Sequence, residues 1–248
     1  MRSYGLIGFP LTHSWSKKYF DEKFSNENIT DAKYDLFQIE RIDEAFRLIF
    51  SDKSIVGLNV TIPFKEKIIP FLNEFSPEAR EVGAVNTIKI THLEDEVSIK
   101  AYNTDVFGFE DSIRDLLENK IRKALILGTG GSSRACVHVF EKNNIDYTLV
   151  SRLKKNDKTI LYHEIKDADF SSFDIIVNTT PVGMYPNSGE MPNLPYHLLN
   201  SNQILFDLVY NPETTLFLKE GKKAGCTTIN GLNMLHKQAE KAWEIWNI

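Results

Sequence analysis

The sequence predicts an α/β fold in two domains with a cleft between them, on three observations. Strand-like and helix-like segments alternate through the first hundred residues, which implies a mostly parallel sheet. A second unit of the same kind starts near Tyr102 and soon presents a strand, a glycine turn and a helix in succession. The 248 residues are 42% hydrophobic and 25% charged, enough apolar material for one large domain or two smaller ones. Clefts between domains are where ligands bind.

In chain order, Tyr4 to Gly8 reads as a strand, and Ser16 to Phe24 as a helix with Tyr19, Phe20 and Phe24 on one side. Tyr34 to Ile39 is a strand. Ile42 to Phe50 is a helix, with Ile42, Ala45, Phe46 and Ile49 as its apolar face. Ile55 to Val60 is a strand and Phe64 to Leu72 a short helix, while Val85 to Ile90 and Val97 to Ala101 pair as a hairpin. Val106 to Leu117 is a helix linking the two units. Ala124 to Leu127, Asp146 to Val150, Thr159 to Tyr162, Phe173 to Val177 and Ile204 to Leu208 are strands of the second unit. Leu232 to Trp246 is a helix with Leu232, Leu235, Ala239, Ala242 and Trp246 on one stripe. The expected division is 1–102 with 231–248 against 103–230.

A net charge of −5 argues against nucleic acid, whose partners carry a basic patch, and Lys17-Lys18, Lys154-Lys155 and Lys222-Lys223 are short. Cys136 and Cys226 show no pairing pattern and read as reduced thiols of a cytoplasmic protein. The start, MRSYGLIGFP, lacks the long apolar run of a secretory leader. No segment approaches the roughly 20 apolar residues of a membrane helix. The histidines and acids show no metal-ligand spacing, so no metal is expected.

Gly128-Thr129-Gly130-Gly131 follows the apolar strand directly and opens a helix. Glycines let the backbone turn tightly against a pyrophosphate, and the helix N-terminus meets its charge. The third position of GxGxxG is Ser133, so the strict fingerprint is not met and a plain strand-to-helix turn is the rival reading. About 20 residues on, an NAD site places an acid for the ribose 2′-OH. Here stand Ser151-Arg152, and a guanidinium suits a 2′-phosphate, so NADP is preferred. Only Arg152 to Lys158 connect this strand to the next, too few for a parallel crossover of about a dozen residues. The crossover helix is therefore expected to be absent or reduced to a turn. Whether Lys154 or Lys155 adds a phosphate contact stays open.

The ordered motifs HSWS (13–16), NVTIPFK (59–65), GAVNT (83–87), NTD (103–105), GTGGSSRA (128–135), NTTPVGM (178–184), DLVYNP (207–212) and GLNMLHKQA (231–239) run nearly end to end. In them the chain resembles the shikimate dehydrogenase family of aromatic amino-acid biosynthesis. The resemblance implies an N-terminal substrate domain, a Rossmann-like NADP-binding domain, and reversible NADPH-dependent reduction of 3-dehydroshikimate to shikimate. It implies that Ser14 and Ser16 bind the substrate carboxylate and that Thr61 and Lys65 hold substrate hydroxyls. It adds Asn86, Asp105, Tyr210 and Gln238 to the substrate site. It gives the nucleotide Gly128, Thr129, Gly130, Gly131, Ser132, Arg152, Thr179, Leu208 and Gly231. Relatives usually carry Asn-Arg-Thr after the second strand; here Ser151-Arg152-Leu153 transfers only the arginine. A monomer or homodimer is expected.

Lys65 and Asp105 are the acid/base candidates, since the reacting oxygen must gain a proton as hydride reaches the ketone carbon. Each candidate has a plainer reading. An arbitrary lysine is a surface lysine. Ser14, Ser16 and Asp105 each suit a helix N-cap. Thr61 suits a strand, Asn86 a turn and Tyr210 loop packing. Asn59 reads as serving the local backbone, with Val60 and Ile62 as the packed part of its motif. Two other functions compete: a quinate/shikimate dehydrogenase with relaxed cofactor use, and a non-catalytic NADP-binding paralogue.

Overall fold

The computed structural model describes residues 1–11, 14–94, 96–117, 121–153 and 157–248, with Ala168 described in its backbone alone. Two compact units result: residues 1–104 with 238–248, and residues 105–237.

The first unit runs β1 (Arg2–Gly8), α1 (Trp15–Asn26), β2 (Ala32–Gln38), α2 (Ile42–Ser51), β3 (Ile55–Val60), α3 (Phe64–Lys67), β4 (Glu74–Phe75), α4 (Pro77–Val82), β5 (Thr87–His92) and β6 (Val97–Tyr102). Its six-stranded sheet has the order β2-β1-β3-β5-β6-β4. Parallel β2, β1 and β3 form one half. β5 runs antiparallel to both β3 and β6, the expected hairpin. One core gathers Ile7, Ala45, Ile49, Leu58, Val60, Phe64 and Ile88. Another gathers Tyr4, Phe20, Tyr34, Ala239, Ala242 and Trp246, so the final helix completes this unit.

The expected helix over 64–72 is broken. α3 ends at Lys67, and Ile69 to Phe71 form a 3₁₀ turn. Pro70 causes the break: it offers no N–H to Glu66, and its ring clashes with that carbonyl in an α-helix. Ile62 is 61% exposed, on the turn after β3, so only Val60 of the expected apolar pair is packed.

The second unit runs α5 (Thr104–Ser112, entered from Thr104 of the first unit), α6 (Arg114–Leu117), β7 (Lys123–Leu127), α7 (Gly131–Lys142), β8 (Asp146–Ser151), β9 (Thr159–Leu161), α8 (Asp167–Phe170), β10 (Ile175–Asn178), β11 (Ile204–Asp207), α9 (Leu216–Lys223) and β12 (Thr227–Asn230), and ends within α10 (Leu232–Trp246), whose residues from Gln238 onward belong to the first unit. The helix expected over 106–117 divides at Ile113 into α5 and α6. Ser112 Oγ donates back to Gly108 O at 2.7 Å, a bond that competes with the helix ladder where α5 ends. The sheet order is β12-β11-β10-β7-β8-β9 and every pair is parallel. β8 and β9 pair in parallel although only residues 152–158 join them, and the described residues of that connection are not helical. Lys154 and Lys155 lie outside the described residues.

Candidate active site

In the second unit the register of the sheet does the positioning. Leu127 pairs with Asn178, Asn178 with Asp207, and Asp207 with Asn230. The residues that follow are Gly128, Thr179, Leu208 and Gly231. They form one row along the carboxyl ends of four parallel strands. Val150 pairs with Leu127, which brings Arg152 to the same edge, where it is exposed. The chain runs from β7 outward to β8 and β9, then returns to β10 on the other side. The gap between β7 and β10 is thus the topological switch point where ligands of such sheets bind.

The residues there fit a dinucleotide. Gly128 has φ +109°, and a Cβ on it would stand 2.7 Å from Thr179 Oγ1, so only glycine turns here. Thr179 is held in place by its hydroxyl, which donates to Leu127 O at 2.6 Å. Gly130 is the N-cap of α7, with no side chain capping the first turn, and a Cβ on it would meet no atom within 4 Å. That leaves the helix N-terminus open to an anion. Ser133, at the third fingerprint position, is buried and turns its hydroxyl onto Gly130 O at 2.6 Å. This small residue serves where the strict motif has glycine. Gly231 packs so closely on Leu208 that a Cβ would lie 2.1 Å from the Leu208 carbonyl oxygen.

Behind this row lies Asp207, fully buried at the end of β11. Its carboxylate accepts from Asn178 Nδ2 (2.9 Å), Val209 N–H (3.0 Å) and the Thr215 hydroxyl (2.5 Å). The loops carrying Thr179, Leu208 and Tyr210 are thereby tied together, and Thr215 also caps α9. Burial pushes the Asp207 carboxyl up to about 6, against the three hydrogen bonds that favour its charge. A pKa raised on folding means that the native state holds a proton the unfolded chain has lost. Stability from this group is therefore fully present below about pH 4 and lost as pH rises through about 6. Relative to an Asp207→Asn variant, wild type should lose about 3 kcal/mol between those values, measured by urea unfolding across the range. A flat difference would show that Asp207 titrates normally.

In the first unit Ser14 stands at the N-cap position of α1 but does not cap. Its hydroxyl oxygen is buried without a hydrogen-bond partner among the described residues. Ser16 lies inside the helix, one position past its start. Neither serine therefore acts as the cap. His13 of the same motif lies outside the described residues.

Thr61 N–H donates to Ile7 O at 3.0 Å. Lys65 is half-buried on α3, and its carbonyl accepts from Val85 N–H at 2.8 Å, which pins it beside the Asn86 segment. Asn86 is the hub. Its Oδ1 accepts from Thr104 N–H at 2.7 Å, and its Nδ2 donates to Gln238 Oε1 at 3.2 Å. Asn59, expected to serve the backbone, instead joins side chains. It accepts from the Tyr34 hydroxyl at 2.8 Å and donates to Thr87 Oγ1 at 3.1 Å. Tyr34, Asn59, Thr87 and Asp207 were not among the site candidates. The readable signal was polar residues within otherwise apolar strands. Asp105, 2% exposed, sits in the first turn of α5 rather than at its cap, because that helix begins one residue earlier.

A parallel sheet with a glycine turn at its switch point, preceded by an α/β unit built around a buried polar hub, defines a dinucleotide-binding protein of the Rossmann class. A family model described as shikimate dehydrogenase substrate binding domain matches residues 6–88. Shikimate dehydrogenase (NADP(+)) of Clostridium beijerinckii is 38% identical over 256 residues, covering 99% of this chain and 92% of that protein. Shikimate dehydrogenase 1 from Peptoclostridium difficile has a crystal structure similar at TM-score 0.83 and 39% identity, covering 100% and 92% of the two chains. Shikimate 5-dehydrogenase from Thermus thermophilus, in complex with NADP(H) and shikimate, is similar at TM-score 0.84 and 26% identity, covering 99% and 93%. The chain belongs to the shikimate dehydrogenase family.

Proposed function

We propose that this protein is an NADP-dependent shikimate dehydrogenase, reducing 3-dehydroshikimate to shikimate and running in reverse. The observation that carries this is the row Gly128, Thr179, Leu208, Gly231 at the switch point, in a chain whose full-length relatives bear that activity. NADPH, when bound, supplies the hydride for the ketone carbon. Gly128 to Ser132 cradle the pyrophosphate, and Arg152 meets the 2′-phosphate. Thr179, Leu208 and Gly231 form the floor for the rest of the nucleotide. Ser14 and Ser16 receive the substrate carboxylate. Thr61, Asn86, Tyr210 and Gln238 hold the ring substituents.

Lys65 and Asp105 handle the proton. In the reductive direction the carbonyl oxygen becomes a hydroxyl by taking one proton, which this pair delivers as the negative charge develops. In the oxidative direction the same pair accepts it. Cys136 and Cys226 are both buried thiols outside any disulfide, which suits a cytoplasmic setting. Among the described residues no helix is long and apolar enough to cross a membrane.

The test is absorbance at the NADPH band with shikimate and NADP⁺, with quinate and NAD⁺ as controls. Shikimate with NADP⁺ should be the fastest combination. Equal rates with NAD⁺ would remove the NADP assignment, and faster quinate oxidation would move the chain to that substrate. Arg152→Ala should lower kcat/KM for NADP⁺ at least about tenfold, through loss of a charge-assisted contact, and leave NAD⁺ turnover unchanged. Equal losses with both cofactors would mean that Arg152 does not read the 2′-phosphate.

A further inference from the structure

Three neighbouring strands of the second unit, β10, β11 and β12, end on Asn178, Asp207 and Asn230. The register sets them side by side, Asn178 with Asp207 and Asp207 with Asn230. Each side chain makes the same bond. Asn178 Oδ1 accepts from Thr180 N–H at 3.1 Å, Asp207 Oδ1 from Val209 N–H at 3.0 Å, and Asn230 Oδ1 from Leu232 N–H at 3.2 Å. A bond from such a side chain to the N–H two residues on is an Asx turn, which curls the backbone around the residue between. The residues so enclosed are Thr179, Leu208 and Gly231, the row assigned to the nucleotide. β7, the remaining strand of the row, ends on Leu127 and turns on Gly128 at φ +109° instead.

The middle turn is joined to both of its neighbours. A backbone N–H only donates, so the Asn178 oxygen faces Thr180 and its Nδ2 is left for Asp207 Oδ1, at 2.9 Å. On the other side, the peptide between Leu208 and Val209 sends its N–H to Asp207, so its carbonyl, Leu208 O, points the opposite way. That direction leads to Gly231. A Cβ on Gly231 would lie 2.1 Å from Leu208 O, and Gly231 N–H donates to Val209 O at 3.3 Å. Asp207 Oδ1 therefore fixes the face that the Leu208 carbonyl takes, and the third turn packs against it. Asn178 and Asp207 are fully buried, so both act on the row from behind.

We propose that Asn178, Asp207 and Asn230 are positioning residues for cofactor binding, with Asp207 at the centre: their three adjoining Asx turns hold the backbone of Thr179, Leu208 and Gly231 in the form that receives the dinucleotide. The proposal rests on the NADP reading above. It makes a definite chemical demand, because the row needs an acceptor oxygen at position 207 and not a charge. Asp207→Asn keeps that oxygen. Val209 N–H and Asn178 Nδ2 both donate to it, so the new NH₂ is turned to the Thr215 hydroxyl, which accepts. Asp207→Leu fills similar space with no acceptor and releases both donors. The Leu208 peptide is then free to turn, and the row must be ordered when the ligand arrives, at a cost in affinity.

Calorimetric titration with NADP⁺ tests this, because Kd reads the folded molecules and the stoichiometry counts them. Asp207→Leu should raise Kd about tenfold or more, and Asp207→Asn should stay within about twofold of wild type. A merely structural role would instead lower the thermal midpoint or the stoichiometry of Asp207→Leu and leave its Kd at the wild-type value, which would overturn the proposal. Binding as weak in Asp207→Asn as in Asp207→Leu would overturn it as well, since charge and not the acceptor would then be what matters. Asn230→Ala opens only the third turn, at a half-buried side chain, and should raise Kd about three- to tenfold with little change in thermal midpoint. If Asp207→Leu does not fold, Asn230→Ala carries the readout, and wild-type Kd there would overturn the proposal. Wild type that does not bind NADP⁺ would overturn the cofactor reading itself, a result visible without any variant.

Discussion

Lys65→Ala is expected to lower kcat for shikimate oxidation by about 10²–10⁴, the usual contribution of a positioned proton-transfer group, while KM for shikimate stays within a few-fold. The lysine's backbone is firmly held. α3 holds four residues, and Phe64 anchors it in the core at 2% exposure. The Lys65 carbonyl is fixed by Val85 N–H, one residue before the Asn86 hub. The side chain therefore springs from a rigid point and has only its own rotamers to lose. An ordinary surface lysine lacks such anchoring, and its removal changes little. Asp105→Asn should reduce kcat comparably. The double variant should fall little below either single variant, the behaviour expected of two members of one proposed proton path. Steady-state kinetics on the three proteins decides the matter. A kcat within a few-fold of wild type in Lys65→Ala would reduce Lys65 to a binding residue.

Much of this was legible in the chain. The strand–glycine turn–helix of 124–140 and the alternation of the first hundred residues announced both sheets, because buried parallel strands read as short apolar runs. The short connection of residues 152–158 foretold a crossover without a helix, from chain length alone. Other elements were not readable. β12, with the sequence TTIN, is four residues of mixed polarity, and α9 contains a glycine and three lysines. Both are stabilised by neighbours: β12 by pairing with β11, and α9 by setting Phe217 and Leu218 into the core. Tertiary packing decided what propensity left open. The polar network that joins Tyr34, Asn59 and Thr87 to Asn86 was invisible for another reason. Tyr34, Asn59 and Thr87 are far apart in sequence, and only the register of β1 with β2 and β3, and of β3 with β5, places them in line.

Two glycines of the turn, Gly128 and Gly130, separate what the fold needs from what the ligand needs. Gly128→Ala puts a Cβ at φ +109° and 2.7 Å from Thr179 Oγ1, so it should cost about 1–3 kcal/mol of stability before any cofactor is present. Reduced NADP⁺ affinity in that variant would say little about contact. Gly130→Ala is the sharper experiment. Gly130 sits at φ −91°, ψ −175°, an extended backbone that any residue adopts, and a Cβ there would meet nothing within 4 Å. Unfolding in urea should match wild type to within about 0.5 kcal/mol. The space the methyl group fills is the open space at the N-terminus of α7, where the proposed site brings the pyrophosphate close to the backbone. Calorimetric titration should therefore show NADP⁺ binding weakened by roughly 10–100-fold in a protein that is otherwise unchanged. Wild-type affinity in Gly130→Ala would mean that the pyrophosphate lies elsewhere, and the cofactor row at the carboxyl edge of the sheet would have to be redrawn. Weakened binding at unchanged stability has no source in the fold of the empty protein, and leaves contact with the dinucleotide as its cause.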